Sequence, residues 1–495
     1  MRKQMEDKLY KFILALFAVE SGAILLICIP DTQNNLPAGK MIVLPLFWTV
    51  AVTCVFLGGI RISGFLEKNH RFLFPAFLVA YGVGLFALCA MDGTEPVGDW
   101  GSVVQGAEYM AGLNDTMNWA YFAKCKNNII PMLVIAQELK LGKLLGLSNP
   151  YWAGMFLNVV QVIITMICTF YVCRKAHSGS YAAGWLGMGM MAATLPVVGQ
   201  SRVLYTDSLS LCFGILGFVI WLKADGGEHK GALYWLKLTG AGLVWGIGCA
   251  LKPTIVICVI AVLLFVILFR RDRHIWKNFV MAALVAGVIG ITGSWVDGWS
   301  DPELVESIGQ PTFSYWIAVG LKGSGDWVSG EEYVNGMMSL YGMEAREEYT
   351  RQYIRENMRE FVNLSHITAK AKNNFASGLL GSSDFMLSEK AENDLVWDWV
   401  SPYGDRYWRY SMICTSYFYF ILLMLVFSCV RECVRKTPAD PCVFVPMLTC
   451  LGTMIYLMIS ESNNRQLYNE IMWFLCGAVN GLVFISSLIR KRLKL

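Results

Sequence analysis

Long apolar runs dominate the chain, and short polar segments separate them. An apolar helix of about 20 residues is long enough to cross a bilayer. The pattern therefore predicts twelve membrane-spanning helices, of which the runs at 183–198 and 254–269 are the least marked. The twelve predicted spans are 12–29, 41–59, 72–91, 151–173, 183–198, 207–223, 234–251, 254–269, 278–296, 410–430, 441–459 and 467–489.

Lys and Arg residues gather in alternate links between these runs. Cytoplasmic loops of membrane proteins are enriched in Lys and Arg, so we expect these links, and both chain termini, to lie in the cytoplasm. Leaving out any one span would place several of these basic groups on the external side of the membrane. The groups are Arg2 with Lys3 and Lys8, Arg61 with Lys68 and Arg71, Arg174 with Lys175, Arg270 with Arg271 and Arg273, Arg431 with Arg435 and Lys436, and Arg490 with Lys491 and Arg492.

This topology leaves two large segments outside and divides the chain into five parts. Within the first segment, Glu138, Lys140 and Lys143 interrupt an apolar stretch at 129–147, which predicts an amphipathic helix on the outer surface and not a crossing. The five predicted parts are a three-span segment at 1–91, an external catalytic loop with a juxtamembrane helix at 92–150, a six-span core at 151–296, an external substrate-binding region at 297–409, and a three-span segment at 410–495.

The composition agrees with an all-α polytopic membrane protein. Hydrophobic residues make up 55% of the chain and charged residues only 16%, whereas soluble domains carry about 25% charged residues. Most of the 15 cysteines fall inside apolar runs, where they are typical small hydrophobic residues and not a disulfide framework. The histidines and cysteines have no zinc-ligand spacing, and we expect no nucleic-acid partner.

Acidic and basic side chains concentrate in the links that are predicted to face outside. Asp92, Glu95, Glu108 and Asp115 share the first external loop with Asp99. The candidate site residues are Asp99 in VGDWGSVVQGAEYMAGL, Arg202, Tyr205 and Asp207 in GQSRVLYTDSLS, Lys252 in the turn of WGIGCALKPTIVICV, and Glu461 and Arg465 in ESNNRQLYNE.

These segments resemble the GT-C superfamily of integral membrane glycosyltransferases, in particular the group of protein mannosyltransferases and aminoarabinose transferases. VGDWGSVVQGAEYMAGL with Asp99 is similar to the catalytic acid motif. YFAKCKNNIIPML, YTDSLS, CALKPT, ESNNRQLY and PTFSYWIAVGLKGSGDW are similar to later landmarks. The chain departs from the pattern because three spans precede the catalytic loop and because Trp100 follows Asp99.

The resemblance implies a GT-C-like fold and a polyprenyl-phosphate sugar as donor. It implies Asp99 as the general base, and a glycan, lipid or protein acceptor in the cell envelope. Phosphate is a good leaving group, so the reaction needs one base for the acceptor hydroxyl and cations for the released phosphate. A single base opposite the phosphate predicts inversion at the anomeric carbon, unlike the paired carboxylates of a glycoside hydrolase.

Each candidate residue also has a purely structural interpretation. Asp207, with Tyr205, orients a substrate hydroxyl or caps the helix that follows. Lys252 contacts phosphate or extends to the lipid headgroups, and the same choice applies to Arg202. Arg465, held by Glu461, suits the forked binding of phosphate.

Three aromatic residues are weaker candidates for stacking on sugar rings: Trp100, Tyr121 and Trp316. Interfacial belts are rich in Trp and Tyr in any case. No cofactor is required, although Asp99 and Asp207 leave a divalent cation possible.

Two other functions fit the same pattern. A flippase for lipid-linked saccharides would place ionisable groups along a path at mid-bilayer, whereas here they lie at span ends. A polysaccharide polymerase or ligase would use an arginine-rich outer loop. Arg346, Arg351, Arg355 and Arg359 alternate with glutamates, however, and this spacing predicts a solvated helix with internal salt bridges. A glycosyltransferase of the plasma (inner) membrane with an outward-facing site is the favoured hypothesis.

Overall fold

The computed structural model describes residues 2–31, 36–91, 95–225, 231–270, 275–311, 313–387, 396–435 and 440–493. Across these ranges the regular structure is helical, and they contain no strand. The all-α class predicted from the apolar runs is therefore confirmed for the described residues.

Twenty-three α-helices follow one another along the described ranges, and short 3-10 helices at Lys126–Asn128, Pro253–Ile255, Met358–Val362 and Asn464–Glu470 link several of them. The α-helices are α1 (Arg2–Cys28), α2 (Ala38–Arg61), α3 (Ser63–Ala90), α4 (Gly98–Ala111), α5 (Trp119–Lys124), α6 (Ile129–Leu144), α7 (Tyr151–Ala176), α8 (Tyr181–Ala192), α9 (Leu195–Gln200), α10 (Thr206–Ser210), α11 (Phe213–Asp225), α12 (Ala232–Leu251), α13 (Val256–Phe269), α14 (Ile275–Trp299), α15 (Pro302–Ile308), α16 (Phe313–Val319), α17 (Glu331–Met338), α18 (Met343–Asn357), α19 (Leu364–Phe375), α20 (Trp397–Val400), α21 (Tyr407–Val434), α22 (Pro441–Ile459) and α23 (Ile471–Leu493).

Nine segments of the described chain are long and apolar enough to cross a membrane. They coincide with nine of the twelve predicted spans. The other three predicted spans correspond to α8 with α9, to α12 and to α13, which fall short of the same length or apolarity. The nine segments are Glu6–Cys28, Ala38–Arg61, Ser63–Ala90, Tyr151–Ala176, Thr206–Asp225, Ile275–Trp299, Tyr407–Val434, Pro441–Ile459 and Asn464–Arg492.

The helices run between two ends of one bundle. At one end, Lys252 follows α12 and contacts Asp207 at the start of the α10–α11 segment. At the other end, Arg270 follows α13 and pairs with Asp225 at the end of α11, with 2.9 Å between Arg270 Nη2 and Asp225 Oδ2. Helices α11, α12 and α13 therefore all connect the same two ends. We call the end that carries Asp207 the site face and the other end the opposite face.

Basic residues that were predicted to share one side of the membrane meet at the opposite face. Arg431 Nη1 donates to Asn480 Oδ1 on α23 at 2.5 Å and lies 3.4 Å from Nδ1 of His177, just after α7. Arg174 stacks over the ring of Tyr181, with 3.9 Å from the guanidinium carbon to the ring centroid. The fold thus gathers at one end charges that come from separate loops. Three further members of the predicted basic groups lie outside the described residues: Arg271, Arg273 and Lys436.

Helices α21 and α23 form the centre of the bundle. A methyl group built on Gly481 would collide with the carbonyl oxygen of Met424, so the two backbones approach more closely than any side chain allows. Small residues at helix contacts permit this approach in membrane proteins. Both helices are buried along most of their length, with Phe420 and Trp473 fully enclosed.

Helix α6 accounts for the apolar stretch of the first large loop, and it packs between α4 and α7. Lys140 and Lys143 are exposed, but Glu138 is buried, and this burial raises its pKa to about 8. The helix is not among the candidate spans. Helices α4 and α7 cover the side of α6 that carries Glu138, while Leu144 and Leu145 at its end are 84% and 62% exposed. Its placement on the outer surface of the membrane stays a prediction.

Helices α15 to α20 form the second large segment, and a buried arginine joins two parts of it. Arg346 on α18 is fully buried and donates hydrogen bonds to the carbonyl oxygens of Leu340 at 2.8 Å and Gly309 at 3.0 Å. The expectation of a solvated helix is wrong for Arg346. It holds for Arg351, which is exposed and pairs with Glu348 at 3.5 Å.

Candidate functional site

Asp207 is the centre of a buried charge cluster at the site face. Its side chain is 1% exposed. One carboxylate oxygen contacts Lys252 Nζ, and the other lies 3.4 Å from Arg465 Nε. Asn469 Nδ2 donates to the Asp207 carbonyl oxygen at 2.9 Å and to Ser210 Oγ at 2.8 Å. Two cations that are far apart in sequence therefore share one acid.

Arg465 is wedged between two aromatic rings. Its guanidinium carbon lies 5.1 Å from the ring centroid of Tyr205 and 5.0 Å from that of Phe385. A cation within about 6 Å of an aromatic face is attracted by the ring. Within the described residues, no hydrogen bond occupies the two terminal nitrogens of Arg465, and the side chain is 15% exposed. The guanidinium is thus fixed in position, with donors available to a ligand.

The wall beside Arg465 is a segment at 376–387 that contains none of the residues predicted from the sequence. Gly381 has a φ of +74°, and a methyl group there would lie 2.5 Å from Arg465 Cβ. The Gly381 amide donates to Asn464 Oδ1 at 3.2 Å. Only glycine adopts this left-handed conformation readily and leaves room for Arg465. The turn therefore fixes the next residues, Asp384 and Phe385, against the cluster.

Asp384 adds a carboxylate that was not predicted. The side chain is exposed to solvent, although many protein atoms surround its carboxylate. Burial raises its pKa to about 6, with Arg465 opposing the shift and Asp207 adding to it. No motif surrounds Asp384 in GLLGSSDFM, so no sequence signal could have found it.

Asp99 lies at the open side of the same site. It is exposed in the first turn of α4, which begins at Gly98 with a φ of +58°. Its carboxylate is close enough to interact electrostatically with Tyr121, Tyr205 and Arg465. The fold therefore brings Asp99 near Tyr205 and Arg465, which belong to the cluster around Asp207.

Tyr121 and Tyr205 join the first loop to this cluster through one amide. Asn128 Nδ2 donates to Tyr121 Oη at 2.5 Å and lies 3.4 Å from Tyr205 Oη. Tyr121 is half-buried and Tyr205 is buried. Their hydroxyl groups meet at this amide, near both Asp99 and Arg465.

Glu461 is half-buried at the edge of the site. Burial raises its pKa to about 7. Arg465 opposes the shift, and the carboxylates of Asp99 and Asp326 add to it. The position of Glu461 is fixed through the preceding residue, because Lys370 Nζ donates to the Ser460 carbonyl oxygen at 2.5 Å and to that of Gly320 at 2.9 Å.

Three candidates lie behind or beside the site and not at its open surface. Arg202 is buried and contacts Met386 Sδ through Nη2. Trp100 is buried, and its ring meets Phe385 edge to face at 5.9 Å between centroids. Trp316 is half-buried against Tyr315, 4.9 Å away between centroids. Arg202 and Trp100 thus pack against Met386 and Phe385 in the 376–387 segment.

The competing acids of the first loop have other surroundings. Glu108 accepts hydrogen bonds from Tyr151 and from Asn114, so it holds the loop together. Glu95 and Asp115 are exposed. Asp92 lies outside the described residues.

In the completed arrangement, the basic side chains are less exposed to solvent than most of the acidic ones. Lys252 and Asp207 are buried beside the half-buried Arg465, whereas Asp99 and Asp384 are exposed and Glu461 is half-buried. Such a site can bind an anion next to a carboxylate that accepts a proton. In the described part of the chain, no group of three or more His, Cys, Asp or Glu side chains is arranged to hold a metal ion.

Comparison with known proteins assigns the chain to a family. The profile of the family described as "Conserved hypothetical integral membrane protein" matches residues 13–470, which is most of the chain. No curated protein matches it. The protein belongs to this family of integral membrane proteins, in agreement with the apolar helices of the bundle.

Proposed function

We propose that this integral membrane protein is an inverting glycosyltransferase that moves a sugar from a polyprenyl phosphate to a glycan, lipid or protein acceptor. The observation that carries the proposal is the convergence of Asp99, Asp207, Lys252 and Arg465 at one end of the bundle. These residues come from four separate parts of the chain. They combine a candidate base with cations at the level where the phosphate of a membrane lipid would lie.

Arg465 is the proposed phosphate ligand. No described residue accepts a hydrogen bond from its terminal nitrogens. The rings of Tyr205 and Phe385 pack on both sides of the guanidinium group and restrict its orientation. A planar guanidinium binds phosphate oxygens in a forked manner. Lys252 is more deeply buried and is already paired with Asp207, so it supports the positive potential instead of binding the donor directly.

Asp99 is the proposed general base. It is exposed at the opening, where an acceptor hydroxyl can approach, and it is near Arg465 without being paired to it. The sugar would lie between the two, so that the hydroxyl attacks as the C1–oxygen bond to phosphate breaks. The proton passes to Asp99 and the electron pair of that bond leaves with the phosphate, with inversion at C1.

The orientation in the membrane is part of the same proposal. Helices α12 and α13 connect the two faces of the bundle, and so does α8 with α9, which begins beside Arg174 and ends beside Ser382. These three additional crossings support a total of twelve instead of nine. Basic residues at the opposite face support a cytoplasmic location for that face. The site then opens on the outer side of a plasma (inner) membrane.

The test measures polyprenyl phosphate that purified protein releases from a polyprenyl-phosphate hexose in the presence of an acceptor. General-base catalysis contributes about 10²–10⁴-fold, so Asp99→Asn is expected to reduce turnover by roughly 100-fold or more. Asp115→Asn, an exposed acid in the same loop, is the matched control and should retain wild-type turnover. Equal turnover of wild type and Asp99→Asn would remove Asp99 from the mechanism.

The anomeric configuration of the product tests the stereochemistry separately, since retention would contradict a single-base mechanism. Translocation of a lipid-linked saccharide in liposomes, without release of polyprenyl phosphate, would instead identify a flippase. Chain elongation from a lipid pyrophosphate would identify a polymerase.

A further inference from the structure

An exposed apolar corner lies where α18 leads into α19. Its members, residues 358–364, include Met358, Val362 and Leu364, which are 58%, 81% and 74% exposed. Arg359, Glu360 and Asn363 lie between these side chains, and a surface that combines exposed apolar and charged side chains is typical of contacts at a membrane interface. We call residues 358–364 the apolar corner.

Helix α19 lies across the site-face ends of two spans. Cys28 Sγ, at the end of α1, contacts the Ala371 carbonyl oxygen at 3.6 Å. Asn374 Nδ2 donates to the Leu457 carbonyl oxygen near the end of α22 at 3.2 Å. Since these two residues mark where the apolar spans end, α19 lies at the boundary of the bilayer and the apolar corner is next to it.

A crevice of about 410 Å³ separates the apolar corner from α22. It is lined by Phe361, His366, Ile367, Met458 and Ile459. This volume is in the range of ordinary small-ligand pockets. Ile459 is 42% exposed, so the crevice continues directly onto the lipid-facing surface of the span.

The lining of the crevice is apolar apart from His366. That side chain is occupied elsewhere, since Nδ1 lies 2.9 Å from the Gly323 carbonyl oxygen and Nε2 lies 3.1 Å from that of Gly320. A hydrocarbon chain therefore fits the lining, whereas a polar ligand would leave its hydrogen-bonding groups unpaired. Arg359 is exposed in the apolar corner and is suited to a headgroup phosphate at the surface.

We propose that this crevice binds one acyl chain of a phospholipid from the adjacent leaflet, and that Met358, Val362 and Leu364 of the apolar corner are inserted among the acyl chains while Arg359 and Glu360 lie at the level of the headgroups. A phospholipid acyl chain is the expected occupant because the crevice is continuous with the lipid-facing side of α22. The inference does not depend on glycosyl transfer, because it concerns a surface separate from Asp99 and Arg465.

The position of the apolar corner is tested with a spin label at Val362→Cys in lipid nanodiscs, with Cys54, Cys125 and Cys433 replaced by Ser. Collisions with oxygen should dominate over those with a water-soluble nickel complex. The control is Tyr341→Cys, because Tyr341 is 73% exposed in the turn before α18 and should show the reverse preference. Equal nickel accessibility at the two positions would show that the apolar corner lies in water.

The crevice is tested by native mass spectrometry of the protein with retained phospholipid. Ile459→Trp fills the opening and should lower phospholipid occupancy several-fold. Ile455→Trp, which is one turn earlier on the same exposed side of α22, should leave occupancy unchanged. Unchanged occupancy in Ile459→Trp, or retention of added polyprenyl phosphate in place of phospholipid, would overturn the proposal.

Discussion

At the scale of single residues, the contact between Asp207 and Lys252 decides the character of the site. Both side chains are nearly inaccessible to solvent, and burying two charges is favourable only if they are paired and hydrogen-bonded. The sequence left open a helix cap for Asp207 and a headgroup contact for Lys252. Tyr205 is the N-cap of α10, and Asp207 lies within the first turn of that helix. In the structure the two residues neutralise one another beneath Arg465.

The first prediction concerns the stability of this pair. Removal of one partner from a buried ion pair costs about 3–5 kcal/mol, so Lys252→Met or Asp207→Asn alone should lower the unfolding temperature strongly. The double variant should recover part of the loss. Asp31→Asn is the control, because the Asp31 pair with Lys372 is exposed and such pairs contribute at most about 1 kcal/mol. Thermal unfolding in detergent is the measurement, and equal shifts for all variants would contradict the pairing.

The second prediction concerns Glu461 and pH. Burial raises its pKa from 4.5 to about 7 in the folded protein. Between these values the folded state binds more protons than the unfolded state, so the free energy of unfolding falls as pH rises. Wild-type protein should therefore lose stability relative to Glu461→Gln from pH 4.5 to pH 7. Parallel melting curves of the two proteins across this window would refute the raised pKa.

At the scale of elements, close helix contacts depend on individual glycines. The α21–α23 contact at Gly481 leaves no room for a methyl group. In contrast, a methyl group built on Gly290 of α14 would have nothing within 4 Å. The two residues share helical surroundings and differ only in the neighbour they face.

The third prediction compares these two positions. Gly481→Ala should destabilise the protein by about 1–3 kcal/mol, the usual cost of overpacking. Gly290→Ala should be neutral or stabilising by up to about 1 kcal/mol, because alanine favours a helix interior. Thermal unfolding in detergent measures both. A Gly481→Ala protein as stable as wild type would mean that α21 and α23 lie farther apart than this arrangement places them.

The same scale shows where sequence patterns mislead. Glu138 and Arg346 lie in stretches whose charge spacing is typical of exposed helices, yet both are buried. Arg346 binds carbonyl oxygens of neighbouring turns, and Glu138 is covered by the packing of α6 against α7. Periodicity records which residues are polar but not whether another element covers them.

At the scale of the whole molecule, the number of crossings decides on which side each terminus lies. An even number places both termini together, whereas nine crossings would separate them. The contacts at the ends of α11, α12 and α13 add two crossings, α12 and α13, to the nine. The third is α8 with α9, since Tyr181 lies under Arg174 at the opposite face and a methyl group built on Gly199 would lie 3.4 Å from Ser382 Cβ at the site face. The count is then twelve, which is even.

The fourth prediction follows from this count. Reporter tags at the amino and carboxyl termini should both be found in the cytoplasm. A tag inserted after Asp115, in the exposed link between α4 and α5, should be found on the other side. Protease protection in sealed vesicles measures the location of each tag. Separation of the two termini would contradict twelve crossings and would reverse part of the proposed orientation.

The helical membrane class, the position of most spans and the loops that carry the charged candidates all follow from the order of residues alone. They do so because span length and the placement of basic residues are properties of the chain read from end to end. Which loops meet depends instead on the packing of the helices. The side-by-side arrangement of helices is not encoded in hydropathy, so the contacts of Asp207 with Lys252 and Arg465 could not be derived from it. The same holds for Asp384 and Phe385, which come from a turn with no recognisable motif and reach the site only because the glycine at 381 places them there.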